Sequence, residues 1–343
     1  MKVAVYHSNS DIKIEEHPVP EIKDGEILVR MKSSGICGTD VMEWYRKKKA
    51  PCVLGHEMAG VIADAESGVG HFKKGDRVFV SHHVPCHSCE YCRQGKYTAC
   101  EALHTGNYFP GGFAEYIKVP AENVKYGTFY LPDAVSFDEG AMIEPLGCAI
   151  AGQKRLGIRE GQTVFVIGSG ISGILHIQLA KMRKARVIAS DINTYRLGKA
   201  VEFGADAVIN AAGDSSGQLR EVNNNRPADV VIVCAAAQKA AVDAFASVDR
   251  RGEILFFAAP RDDIPIPSMN LWRNEIAMMF SYGASPDDIK EAIHLTENGY
   301  VNVAGMVTHR VPLAAIMDGF RITAEANESL KVVVVPDGDI QES

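Results

Sequence analysis

Hydrophobic and polar positions alternate in short runs over residues 1–150. KVAVY, DIKIEE, EILVRMKSSG, MAGVIADA, DRVFVS and FAEYIKV are each broken by Gly, Pro or Asp. A period of two is the mark of a half-buried strand, so this stretch predicts a β-rich domain. Around Thr163 the period changes. TVFVIGSG reads as a fully buried strand and ISGILHIQLAKMRKA as an amphipathic helix; RVIASD is a second strand and NTYRLGKAVEFGA a second helix, closing at Gly204. AVIN, DVVIVCAA, EILFFAAP and AMMFSYG predict further strands, with a helix over QKAAVDAFASV. Strands alternating with helices predict a parallel, doubly wound sheet over 151–284. In the remainder, 285–343, PDDIKEAIHLTENG reads as the last helix and KVVVVP as a closing strand.

Composition narrows the function classes. The chain has 343 residues, 46% hydrophobic and 23% charged, with a formal net charge of −7. That balance gives no basic footprint for nucleic acid or an anionic membrane. The first residues, MKVAVYHSNSDIKIEEHP, lack the apolar core of a signal peptide, and no apolar run reaches ~18 residues, so no transmembrane helix is expected. A cytoplasmic location follows as the expectation, with the eight cysteines reduced and free to bind metal.

Four of those cysteines, Cys86, Cys89, Cys92 and Cys100, fall in PCHSCEYCRQGKYTAC, spaced C-x2-C-x2-C-x7-C. Four thiolates this close can enclose one tetrahedral zinc with no open position, which is a structural site. The bacterial iron–sulfur run C-x2-C-x2-C-x3-C-P is the competitor, but here the last gap is longer and Glu101, not proline, follows Cys100. His82, His83 and His87 crowd this loop without being needed by it.

Gly168-Ser169-Gly170-Ile171-Ser172-Gly173 is a G-x-G-x-x-G between a predicted strand and a predicted helix. In that setting Gly168 makes the turn, Gly170 lets a pyrophosphate approach the helix N-terminus at Ile171 and Ser172, and Gly173 packs helix on strand. Asp191 ends the second strand, where a carboxylate accepts both hydroxyls of an adenosine ribose and repels a 2′-phosphate. NAD is therefore expected over NADP, with Arg196 nearby as the residue able to accommodate that phosphate.

A second set of metal-ligand types is scattered: Cys37 in GICGTD, His56 and Glu57 in LGHEMAG, and Glu144 in IEPLGCA. Scattered ligands converging from loops suit a catalytic site with an open position. Each also has a plain reading, as a buried cysteine, a core histidine or a helix N-terminal acid. Cys52, Cys148 and Cys234 lie in apolar surroundings and read as core fillers.

GICGTD, LGHEMAG, the four-cysteine loop, GGFAEY, IEPLGCA and GSGISG, in this order, closely resemble the zinc-containing medium-chain dehydrogenase/reductase family over essentially the whole chain. Glu144 in EPL resembles the sorbitol, threonine, butanediol and sugar-alcohol branch, since classical alcohol dehydrogenases carry cysteine there. The resemblance implies a GroES-like catalytic domain over 1–150, a Rossmann domain over 151–284, and a return of 285–343 to the catalytic domain. It implies one catalytic zinc at Cys37, His56 and Glu144, with Glu57 as a direct or water-bridged ligand, and one structural zinc at the four clustered cysteines. It also implies Thr39 as the residue that binds the substrate oxygen and passes its proton on, Asp40 as the support of His56, and a homotetramer or homodimer. Two departures are visible. Many relatives place a relay histidine where this chain has Met42, and FSYGAS lacks the arginine many polyol enzymes carry.

The expected function is hydride transfer from a secondary alcohol, such as a polyol or sugar acid, to NAD. A threonine-type amino-alcohol dehydrogenase is the alternative on the same scaffold, and a non-catalytic zinc protein is the alternative of another class. Trp44, Tyr45, Tyr108 and Phe109 are candidate pocket walls. The run Arg46-Lys47-Lys48-Lys49 reads as a solvated loop, with attraction of an anionic substrate as its other reading.

Overall fold

A computed structural model describes residues 1–339. The chain divides into two compact units, one formed by Met1–Gly147, Ala284–Gly299 and the chain from Val303, the other by Cys148–Gly283 with Tyr300–Asn302. Tyr300–Asn302 lie within the segment expected to return whole to the first unit, but group with the second.

The first unit is built mostly on antiparallel strands, as the period of two predicts, with Val307–Pro312 and Lys331–Val335 paired in parallel. Seven strands form its main sheet. Along one path run Val307–Pro312, Lys331–Val335, Ile27–Gly35, Glu57–Ala65, Arg77–Ser81 and Thr128–Tyr130, and Tyr116–Val119 pairs separately with Ile27–Gly35. Its core includes Val29, Met31, Met58, Ile62, Phe113, Phe320 and Val332. The register places Gly35 opposite Glu57, where a Cβ on Gly35 would fall 2.1 Å from Glu57 Oε2. A glycine is thus required for that carboxylate to lie over the strand.

The second unit carries a six-stranded sheet, parallel throughout, in the order Ala207–Asn210, Arg186–Asp191, Thr163–Ile167, Ala228–Val233, Val248–Phe256, Ala277–Phe280. Numbered along the chain this is 3-2-1-4-5-6, the dinucleotide-binding winding with its switch point beside the first strand. Thr163–Ile167 is buried at every position, as a strand covered on both faces must be.

The order of strands and helices in this unit is legible in the sequence. Several elements across the two units are not. Among them are the helices Ser215–Val222, Ile143–Gln153 and Ile316–Glu325 and the strand Val307–Pro312, so Pro286–Glu297 is not the last helix. IMDGFRITAE carries a glycine and β-branched residues that weaken its helical signal, and its buried Ile316, Gly319 and Phe320 supply the stability that propensity does not. No helix among the described residues is long and apolar enough to cross a membrane.

Candidate active site

The four clustered cysteines converge as their spacing predicts. Their sulfurs all lie within 4.8 Å of one another, and Cys86 Sγ stands 3.9 Å from Cys92 Sγ. A tetrahedron with 2.3 Å Zn–S bonds has edges of about 3.8 Å, so the donors fit zinc. Loop amides already point at the sulfurs: Cys89 N–H donates to Cys86 Sγ at 3.3 Å and Cys86 N–H to Cys100 Sγ at 3.4 Å. The Ser88 hydroxyl and nearby amides lower the Cys86 thiol to about 5, favouring the thiolate a metal needs. His87 turns away and stacks on Tyr126, with ring centroids 4.2 Å apart.

Within the same unit, a second pocket gathers residues from widely separated places in the sequence. Cys37 follows the strand Ile27–Gly35, in a turn closed by Asp40 N–H to the Cys37 carbonyl at 2.9 Å. Asp40 Oδ2 in turn accepts the Cys37 N–H at 3.1 Å. The ligand atoms of Cys37, His56 and Glu57 come within 4.8 Å of one another. His56 Nδ1 lies 3.5 Å from the fully buried Asp40 Oδ1. Burial disfavours charge on His56, but the Asp40 and Cys37 charges outweigh it and raise the imidazole pKa well above its usual value. Asp40 thus faces Nδ1 and leaves Nε2 as the ring's other donor, the arrangement a ligating histidine requires.

Two cations complete this pocket, and neither was read from the sequence as part of it. Arg46 leaves its lysine neighbours to the surface and turns inward. Its Nη2 donates to Thr39 Oγ1 at 2.8 Å and sits 3.1 Å from Asp40 Oδ1, while Nε donates to the Thr39 carbonyl at 3.0 Å. Lys331, 98% buried, pairs its ammonium with Glu57 Oε2 and donates to the Ile36 carbonyl at 3.2 Å. Inside a run of lysines, or at the head of the hydrophobic strand KVVVV, neither residue has a local signal; only the tertiary pairing reveals it.

Glu144 is buried in the first turn of the helix Ile143–Gln153. It converges with His82 and His83, the ligand atoms of the three again lying within 4.8 Å of one another. These histidines do not serve the cysteine loop that they precede. They follow the strand Arg77–Ser81, with ring centroids 3.6 Å apart, and the His82 ring centre is 4.9 Å from that of His56. Tyr108 is buried with no hydrogen-bond partner for its hydroxyl. Burial, then the charges of Glu144, Glu57 and Asp40, raise that phenol well above its usual pKa. Trp44, Tyr45 and Phe109, by contrast, are 40%, 40% and 57% exposed.

In the other unit the glycine-rich turn has the expected form. Gly168 has φ 93°, in the left-handed region, and its N–H donates to the Ser190 carbonyl at 2.8 Å. A Cβ on Gly173 would meet the Gly168 carbonyl oxygen at 1.9 Å. The helix Ile171–Met182 starts at Gly170 with no side-chain cap, which leaves the N–H groups of its first turn for an anion. Asp191 Oδ2 accepts the Ser169 N–H at 2.8 Å and Oδ1 accepts the Asn193 N–H at 2.9 Å, so the carboxylate also fastens the turn. The Arg196 guanidinium is 3.7 Å from where a Cβ on Gly170 would stand.

Comparison with known proteins matches this arrangement to named families. Residues 23–128 fit the alcohol dehydrogenase GroES-like domain and 172–298 the zinc-binding dehydrogenase domain. The sorbitol dehydrogenase of Bacillus subtilis (strain 168) is 33% identical over 98% of this chain and 97% of its own length. The chain belongs to the zinc-binding alcohol dehydrogenase family. As a member of that family it is a zinc- and nicotinamide-dependent oxidoreductase. Solved members share its fold. A 2R,3R-butanediol dehydrogenase from Bacillus subtilis superposes with a TM-score of 0.86 at 26% identity, covering 98% of this chain and 99% of that one. A protein of the zinc-binding dehydrogenase type from Sinorhizobium meliloti 1021, solved bound to NADP, gives 0.86 at 27% identity, with the same 98% and 99% coverage.

Proposed function

We propose that this dehydrogenase oxidises a secondary hydroxyl of a polyol or a related hydroxy compound, with NAD as hydride acceptor. Cys37, His56, Glu144 and Glu57 would hold a catalytic zinc, and Cys86, Cys89, Cys92 and Cys100 a structural one. When bound, the metal supplies Lewis acidity toward the substrate hydroxyl and the nicotinamide takes the hydride. The chain's own residues do the rest. Asp40 orients His56, and Lys331 fixes the Glu57 carboxylate. Thr39 Oγ1 stands 3.3 Å from Cys37 Sγ and accepts a hydrogen bond from Arg46, which leaves its proton free to point at sulfur or a substrate oxygen. The Arg46 guanidinium is a donor with no acceptor site, so it orients Thr39 and offers the substrate's proton nowhere to go. The relay past Thr39, where relatives use the position of Met42, runs through solvent in this reading. Glu144 and the relative that acts on sorbitol support a polyol over a simple alcohol.

The observation that carries NAD is the buried carboxylate of Asp191 at the end of the second nucleotide-unit strand, where a 2′-phosphate would meet a negative charge. Kinetics with NAD and NADP test it. The parent should prefer NAD, and Asp191→Ala should erode that preference by at least about tenfold, around 1.4 kcal/mol. An unchanged ratio, or a parent preferring NADP through Arg196, refutes this choice. A screen of polyols, sugar acids and threonine identifies the substrate; turnover of threonine alone would overturn the polyol reading. An assembly of two or four copies belongs to the same proposal, supported by the exposed apolar Met269, Trp272 and Phe280 of the nucleotide unit, and is checked by light scattering.

A further inference from the structure

The metal pocket holds more donors than one catalytic ion uses. Cys37, His56 and Glu57 form one group, and His82, His83 and Glu144 form another, each with its ligand atoms within 4.8 Å. The two groups touch, since His56 and His82 have ring centres 4.9 Å apart. Lys331 already engages Glu57 Oε2, which weakens that carboxylate as a donor to the first group. On the other side His82 Nδ1 is buried with no hydrogen-bond partner, a costly state for a polar atom unless something binds there.

Charge decides between one ion and two. With Cys37 as thiolate, the pocket carries four negative groups, Cys37, Asp40, Glu57 and Glu144, against two positive ones, Arg46 and Lys331. One divalent cation neutralises this balance, and a second would leave a buried excess of positive charge. We propose that the pocket holds a single divalent ion that has two adjacent seats, a thiolate seat at Cys37–His56–Glu57 and a nitrogen–oxygen seat at His82–His83–Glu144. The second seat lacks sulfur and so also accepts less thiophilic ions than the first. His82 and His83 are thereby metal ligands in their own right rather than pocket lining.

This inference rests on the reading that the pocket binds a metal at all, and one experiment separates the two. The full chain is loaded with 113Cd, whose NMR shift distinguishes sulfur from nitrogen and oxygen ligands, and bound cadmium is counted. The parent should hold two cadmium ions, one with the four-thiolate shift. Cys37→Ser should still hold two, with the second moved upfield. Adding His82→Gln and His83→Gln to Cys37→Ser should weaken the second ion at least tenfold or so against a competing chelator. In the Cys37→Ser chain, where the thiolate seat is lost, 15N–113Cd coupling should appear at a His82 ring nitrogen. A parent with only the four-thiolate cadmium overturns both readings. A parent with two ions, but a Cys37→Ser chain with one, or no coupling at His82, or no further loss on removing the histidines, overturns the second seat alone. The four-thiolate resonance, which should persist in every variant, monitors folding.

Discussion

His176 offers a test of the fold's electrostatics away from the metal pocket. It lies at the centre of the helix Ile171–Met182, fully buried, with neither ring nitrogen hydrogen-bonded. Its ring meets Phe257 edge-on, with centroids 4.6 Å apart. Burial alone lowers its pKa from 6.5 to about 3. The unfolded chain therefore binds a proton between those values that the folded chain refuses. Stability from this residue is complete above pH 6.5 and falls as pH drops, by about 1.4 kcal/mol per unit, until the folded pKa is reached. At pH 5 the loss is about 2 kcal/mol. His176→Leu keeps a similar volume, removes the titration and removes two unpaired polar atoms. The opening free energy of this unit can be read from the slowest-exchanging amides of Thr163–Ile167 and Ile171–Met182. The variant should equal or exceed the parent at pH 7.5, and its advantage should grow by about 2 kcal/mol at pH 5. If the difference between the two proteins is the same at both pH values, His176 is not held neutral by burial and the reasoning fails.

Three further outcomes follow from the geometry. Gly173→Ala puts a methyl group against the Gly168 carbonyl oxygen, with 1.9 Å available, and should weaken nicotinamide binding by at least about tenfold while zinc content stays at the parent level; calorimetric titration with NADH checks it. Arg46→Met removes the donor that orients Thr39 and the cation paired with buried Asp40, so kcat should fall at least about tenfold, measured by steady-state kinetics and zinc counting. Cys92→Ala, at a buried corner of the four-sulfur cluster, should release one zinc per chain and expose residues 86–100 to limited proteolysis.

The sequence reached furthest where chemistry is local. The four cysteines and the glycine-rich turn are contiguous, so spacing alone predicts their geometry, and the parallel unit alternates strand and helix in a pattern with few topological solutions. It reached least where charges pair across long separations. Lys331 opposes Glu57 at a distance of 274 residues along the chain, and Arg46 differs from Lys47 only in the direction its side chain takes. His82 and His83 crowd the cysteine loop in the sequence without being needed by it, and the strand Arg77–Ser81 delivers them to Glu144. Proximity in sequence is silent on that partner, which only the fold supplies.

The pairing of Glu57 with Lys331 also imposes an order on synthesis. A ribosome adding about 5–20 residues per second delivers Cys37, His56 and Glu57 first and their buried ammonium roughly 14 to 55 s later, after the 274-residue separation has been translated. Through that interval the parallel-sheet unit, nearly contiguous from Cys148 to Gly283, can complete itself. Until the strand Lys331–Val335 is made, Glu57 lacks the buried ammonium that balances its charge in the folded unit, while Asp40 already has Arg46 within the same stretch of chain.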